Sequence, residues 1–125
     1  SKDRVTDYYG VIMDCLFCSI STGKIPATVL YEDDDVIAFE DIMPAAPVHF
    51  LVIPKKHIST LNDLTEEDIP LMGKIHFIAN KLAKQKGVSD NGYRTVMNCN
   101  QNGGQTVYHI HMHVLADRKL TWPPG

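Results

Sequence analysis

The sequence contains no apolar run near the roughly 20 residues of a membrane span and no secretory h-region at its start, so neither a membrane-spanning helix nor export is expected. It also lacks an excess of positive charge. Twelve basic residues against 15 acidic ones leave a net charge of −3, which removes the broad electrostatic case for binding nucleic acid and requires any phosphate to be met locally. Cysteines number only 3, with Cys15 and Cys18 in a C-x-x-C and Cys99 lacking a spaced partner. That pattern fits a reducing compartment with free thiols or a bound metal better than a disulfide scaffold. Internal repeats and low-complexity segments are absent. What remains is a chain of 125 residues, 44% hydrophobic and 22% charged, which suits one globular domain. The expected location is cytoplasmic, extending to the nucleus in a eukaryote.

The stretch that stands out is Tyr108 to Leu115, which holds three of the 6 histidines. His109, His111 and His113 alternate with Ile110, Met112 and Val114, a period of two that predicts a β-strand with one apolar face and three imidazoles on the other. Same-face neighbours stand about 6.6 Å apart along a strand, whereas a zinc ligand must come within about 2.1 Å of the ion. Three imidazoles in a row therefore do not suit a single metal. A nucleophile or base, oriented by its neighbours and facing an anionic substrate, accounts for them better. Upstream, residues 100–106 form a turn-rich loop in which Gly103 and Gly104 allow close backbone approach to a phosphate. Taken alone, those glycines mark an ordinary turn.

Residues 1–13 show no apolar periodicity and read as a flexible extension or an expression remnant, leaving one domain over residues 14–125. Asp14 is positioned to cap a short helix running to about Thr22, with Leu16, Phe17 and Ile20 inward and Gly23 ending it. Strands are expected at Thr28 to Tyr31, Val36 to Glu40, Phe50 to Pro54, Tyr93 to Asn98 and Val107 to Leu115. The nearly all-apolar Phe50 to Pro54 should be central in its sheet. Thr65 and Asp68 resemble a capping box opening a long helix to about Lys86, whose stripe is Leu71, Ile75, Ile78 and Leu82 and whose C′ residue is Gly87. Hairpins interrupted by one long helix give an α+β fold with an antiparallel sheet.

The segment Gly103 to Leu115 resembles the signature of the histidine triad family, H-φ-H-φ-H-φ-φ with φ apolar. The likeness extends from Asp14 onward through Ile25-Pro26-Ala27, Tyr31 to Asp34, Phe39 to Ile42, His49 to Ser59 and the closing Trp122-Pro123-Pro124-Gly125, which are similar to the Hint branch. That resemblance implies a five-stranded sheet with one short and one long helix per subunit, and sheets joined across a homodimer whose tails, bearing Trp122, reach the partner's site. It implies hydrolysis of a purine nucleoside phosphoramidate to a nucleoside monophosphate such as AMP and an amine, through a nucleotidyl-histidine intermediate. His111 matches the nucleophile. His113 and Thr106 match contacts to phosphate and leaving group, and His49, Asn98 and His109 match supporting positions. Gly104 and Gln105 lie at the phosphate loop, Asp41 matches the carboxylate that meets ribose hydroxyls, and Phe17, Ile20, Phe39 and Ile42 match the walls around the base. It also implies a structural zinc held by Cys15, Cys18, His57 and His109, and no organic cofactor. The alternatives are a Fhit-type dinucleoside polyphosphate hydrolase, which a compact chain ending in Trp-Pro-Pro-Gly fits less well, and a nucleotide- or zinc-binding regulatory protein whose chemistry is vestigial. No nucleic-acid or membrane partner is expected.

Overall fold

The computed structural model describes residues 15–125. The proposed extension over residues 1–13 and the Asp14 cap therefore lie outside the described residues. A five-stranded antiparallel sheet runs β1 (Val29–Glu32), β2 (Val36–Glu40), β3 (Val48–Pro54), β5 (Met112–Ala116), β4 (Tyr93–Val96) across its width. The apolar strand is central, as its composition predicts, and begins at Val48 so that it includes His49. Side chains alternate across it. Phe50 and Val52 join Val36, Ala38, Met112 and Val114 on one face, under the long helix α2 (Ile69–Gln85). Leu51 and Ile53 join Ile37 and Phe39 on the other, under the short helix α1 (Leu16–Ser21).

Local sequence explains these elements. The β1–β2 turn is held by Asp33, whose carboxylate accepts the N–H groups of Asp35 and Val36 at 2.8 and 2.9 Å, the Tyr31 hydroxyl and the Lys74 ammonium. Burial pushes that carboxyl up, but the Lys74 ammonium and the other three donors together hold it well below the usual carboxylate range. Thr65 and Asp68 do form a capping box, which closes a 3-10 turn (Glu66–Asp68) feeding directly into α2. Pro70 sits in the first turn of α2, where its missing N–H costs nothing. Ile75, Ile78 and Leu82 are buried as expected, together with Ala79 and Ala83. Gly87, at φ +73°, ends the helix in the left-handed region.

Three expectations need correction. The histidine strand is shorter than its alternation suggests: the ladder covers only Met112–Ala116, so His113 alone of the triad is inside it. Residues 107–111 leave the ladder because the Ile110 N–H goes to the Ile58 carbonyl at 2.7 Å and the His109 ring goes to the Pro54 carbonyl at 2.7 Å. The loop before it contains a third helix, a single turn α3 (Asn100–Gly103), ended by Gly104 at φ 86°. In α1, Leu16 is 41% exposed rather than turned inward.

Candidate active site and metal centre

The Cys15 sulfur caps α1, accepting the Cys18 N–H at 3.2 Å. Both thiols converge on two imidazoles. Cys15 Sγ lies 3.3 Å from His57 Nδ1 and 3.4 Å from His109 Nδ1, and Cys18 Sγ lies 3.4 and 3.5 Å from the same atoms. The two Nδ1 atoms are 3.1 Å apart. A tetrahedral zinc with bonds of about 2.3 Å to sulfur and about 2.0 Å to nitrogen would set S···N edges near 3.6 Å and an N···N edge near 3.3 Å, so the donor set fits that ion. Ring hydrogen bonds agree. A carbonyl only accepts, so the contact to Pro54 O places hydrogen on His109 Nε2 and leaves Nδ1 bare toward the thiols. His57 Nε2 meets the Ser59 hydroxyl at 3.1 Å, a partner that can accept its hydrogen. Burial pushes the His109 imidazole down to about 4, with His57 and His111 adding to the effect against the Pro54 bond. It is therefore neutral, the form a metal requires.

Beside this cluster, the other two triad histidines face a cleft of about 420 Å³. His111, 6% exposed, directs Nδ1 to the His109 carbonyl at 2.8 Å. That carbonyl accepts, so the hydrogen is on Nδ1 and the lone pair on Nε2. Burial lowers the basicity of His111, opposed by the His109 carbonyl and the Asp41 carboxylate. The ring packs edge-on against Phe17 at 5.0 Å and against His113 at 4.9 Å.

His113 has the opposite tautomer, and its neighbours show why. The Ala45 N–H donates to His49 Nδ1 at 2.9 Å, so His49 carries its hydrogen on Nε2. His49 Nε2 lies 2.9 Å from His113 Nδ1 and 3.3 Å from Asp41 Oδ2. His113 Nδ1 thus accepts, and His113 Nε2 keeps a hydrogen to donate. The pairing follows from the register: His113 stands opposite Leu51 on β3, with His49 two residues away on the same face. Asp41, His49 and His113 also gather their donor atoms within 4.8 Å. A ring nitrogen that carries hydrogen cannot ligate, so this trio is a hydrogen-bond relay and not a second metal site.

Burial pushes His113 down to about 4, with His111 and His49 adding to the shift against Asp41. Between pH 6.5 and 4 the unfolded chain binds a proton that the folded chain excludes, so stability falls as pH drops through that window. Between pH 7 and pH 5, wild type should lose about 1–2 kcal/mol more than His113→Gln. Urea titrations at the two pH values measure the difference, and equal losses would contradict it.

Phe17, Ile20, Phe39, Asp41, Ile42, Thr106, His49, His111 and His113 all line the cleft, as their assignment requires. Asp41 accepts the Met43 N–H at 2.8 Å and faces His49 with its other oxygen. Three assignments come out differently. The Gln105 side chain donates to the Ser59 and Val107 carbonyls at 2.7 and 3.1 Å and accepts the Asn100 N–H at 2.9 Å. With its amide committed, Gln105 braces the loop and does not face a phosphate. The Gly104 and Gln105 N–H groups are likewise bonded within the α3 turn, so neither of these two is available to an anion. Asn98 lies beneath that turn, beside Gly103, and not on the cleft wall. Trp122, whose assignment is to the partner's site and not to its own, is 81% exposed and away from its own chain's cleft. Leu16, Ile25, Pro26, Ala27, Glu40, Met43, Leu51 and Val107 complete the wall without having been singled out as site residues. Ile25-Pro26-Ala27 carried the available signal, an apolar stretch preceding β1.

The model of the family described as "Scavenger mRNA decapping enzyme C-term binding" matches residues 14–122. An uncharacterized HIT-like protein of Synechococcus elongatus is 48% identical over 112 residues, covering 90% of this chain and 97% of the relative. This chain belongs to the histidine triad (HIT) family. Among solved structures, a HIT family hydrolase from Legionella pneumophila superposes with a TM-score of 0.87 at 56% identity, covering 89% of this HIT chain and 99% of the other. A histidine triad nucleotide-binding protein from Candida albicans gives 0.75 at 30% identity, covering 87% and 82%. The HIT-like fold, with its five-stranded antiparallel sheet, is common to them. Among the described residues no helix is long and apolar enough to cross a membrane.

Proposed function

We propose that this HIT protein is a cytoplasmic hydrolase of purine nucleoside phosphoramidates, of the Hint branch, releasing a nucleoside monophosphate and an amine. The observation that carries the reading is the opposed pair of tautomers. His111 offers a bare Nε2 and His113 a hydrogen-bearing Nε2, on rings 4.9 Å apart in one cleft. The His111 Nε2 lone pair attacks the α-phosphorus and forms an N–P bond. The bond from phosphorus to the amine breaks, and its electron pair takes a proton from solvent water, while the His113 Nε2–H steadies the leaving group by a hydrogen bond. Water then attacks the same phosphorus, the N–P bond to His111 breaks, and the monophosphate leaves. The relay from Ala45 through His49 keeps His113 in its donating form.

The apolar walls at Phe17, Ile20, Phe39 and Ile42 suit a base. Thr106, exposed at the cleft, suits a phosphate contact, and Asp41 suits ribose hydroxyls. Cys15, Cys18, His57 and His109 would hold a zinc ion with four protein ligands, and the ion would serve structurally, tying α1 to the sheet. A homodimer is part of the same reading, supported by the outer position of β4 in the sheet and by exposed Phe77 and Trp122. Sedimentation should give twice the chain mass, and a monomer at micromolar concentration would contradict the dimer.

That one similar protein is a HIT family hydrolase and another a histidine triad nucleotide-binding protein supports this chemistry. The test is turnover of adenosine 5′-phosphoramidate against a diadenosine polyphosphate. The account expects the first to be cleaved with a much higher kcat/KM. Preference for the second points to a Fhit-type enzyme, and binding without turnover of either points to a regulatory module.

A further inference from the structure

Helix α1 faces two sites at once. Cys15 and Cys18 turn their sulfurs to the His57 and His109 imidazoles, while Leu16, Phe17 and Ile20 line the cleft. The two halves of the cysteine and histidine cluster are mounted differently. On the imidazole side the His109 ring is fixed to the sheet by its bond to the carbonyl of Pro54, the last residue of β3. The sulfur half is carried by a helix of 6 residues, far below the roughly 12–15 at which an isolated helix holds in water. The backbone and hydroxyl hydrogen bonds of residues 15–25 close within that segment. α1 is therefore joined to the sheet by the two sulfurs and by apolar packing, chiefly of Phe17, whose ring stands edge-on to Phe39 at 5.6 Å and to His111 at 5.0 Å.

We infer that the cysteine and histidine centre and the nucleotide cleft are thermodynamically coupled through α1, so that zinc tightens nucleotide binding and a bound nucleotide tightens zinc. This rests on the reading of the cleft as a nucleotide site. A base lying between α1 and Phe39 gains contacts with Leu16, Phe17 and Ile20 only when the helix is in place. In protein without the ion, each thiol can give one hydrogen to an imidazole Nδ1 across the 3.3 to 3.5 Å that separate them, so α1 stays docked. A thiol is a weak donor, however, whereas two thiolate bonds to a zinc also held by His57 and His109 are strong. The helix is then held less firmly, and part of the base's contact energy goes into restoring it. By linkage each ligand changes the other's affinity by the same factor, at least about fivefold at the lower end of ordinary coupling.

The test uses the full chain and AMP. Calorimetry measures AMP affinity for the zinc-loaded protein, for protein stripped by a chelator, and for the stripped sample after zinc is restored. Competition with a chromophoric chelator measures zinc affinity with and without saturating AMP, at free zinc too low for AMP itself to bind the ion. The expected result is AMP binding at least about fivefold weaker on stripping and recovered on restoring zinc, with zinc held tighter by the same factor when AMP is present. In Phe17→Leu, which keeps the helix but loses the ring contacts to Phe39 and His111, that factor should shrink toward one. Should stripping unfold the chain, Cys18→Ala takes its place, since it keeps three ligands and Cys15 as the cap of α1. With zinc bound, that variant should show the same loss of AMP affinity and normal amide dispersion. Equal AMP affinity in the loaded and the stripped or Cys18→Ala protein overturns the inference, as does coupling that persists undiminished in Phe17→Leu. Failure of the zinc-loaded wild type to bind AMP at all would instead remove the nucleotide reading itself, and this inference with it.

Discussion

Replacing His111 with alanine is expected to lower kcat on adenosine 5′-phosphoramidate by roughly 10⁴- to 10⁶-fold, the range seen when a covalent nucleophile is deleted from a preorganised site. No other described side chain can take over. His113 Nδ1 is occupied by His49 and its Nε2 carries hydrogen, and the His109 ring is turned to Pro54 and the thiols. The wall formed by Phe17, Ile20, Phe39 and Ile42 is untouched, so AMP should still bind with affinity within a few-fold of wild type. His111 packs on Phe17 and His113, but Phe17 keeps its contact with Phe39 when that ring is removed, and the variant should remain folded. Steady-state kinetics together with calorimetric AMP binding separate the two effects. A variant that retains more than about a hundredth of wild-type kcat would place the chemistry elsewhere.

The second large effect is thermal. Cys15→Ser should lower Tm by about 10–20 °C, corresponding to about 3–5 kcal/mol for a domain of this size. Cys15 is fully buried, caps α1 and faces both ligand imidazoles. A serine oxygen preserves the cap in a weaker form but is a harder ligand, poorly matched to a site that contains a second thiol. Wild type treated with a chelator should melt near the variant, and added zinc should restore wild type only. Calorimetry with and without chelator reads this directly. If wild-type Tm does not respond to chelator, the cluster is a thiol and imidazole hydrogen-bond network and not a metal centre.

How far the sequence discloses this molecule depends on which physical signal a feature leaves. The long helix was readable from periodicity and caps because burial on one face imposes a repeat, and Val36–Glu40, buried on both faces, from its apolar run after a charged turn. The central position of β3 was readable because a strand covered on both faces loses its alternation. The histidine stretch misled on length. Ile110, Met112 and Val114 are buried in alternation whether or not a ladder is present, so period two does not reveal where strand pairing stops. Gln105 misled for a related reason: a buried amide committed to carbonyls of distant segments has no sequence signature that separates it from one facing a ligand. Spacing alone pointed to half of the cysteine and histidine cluster, Cys15 and Cys18, and the resemblance supplied His57 and His109. The opposed tautomers of His111 and His113 were not readable at all, since they depend on backbone groups of His109 and Ala45.

The most direct measurement is intact-mass analysis of protein quenched within the first turnovers on adenosine 5′-phosphoramidate. The account predicts a transient species heavier by one adenylyl group, localised by fragmentation to His111 and absent from His111→Ala. An efficient reaction in which no such species forms, or one that places the group on another residue, would contradict it.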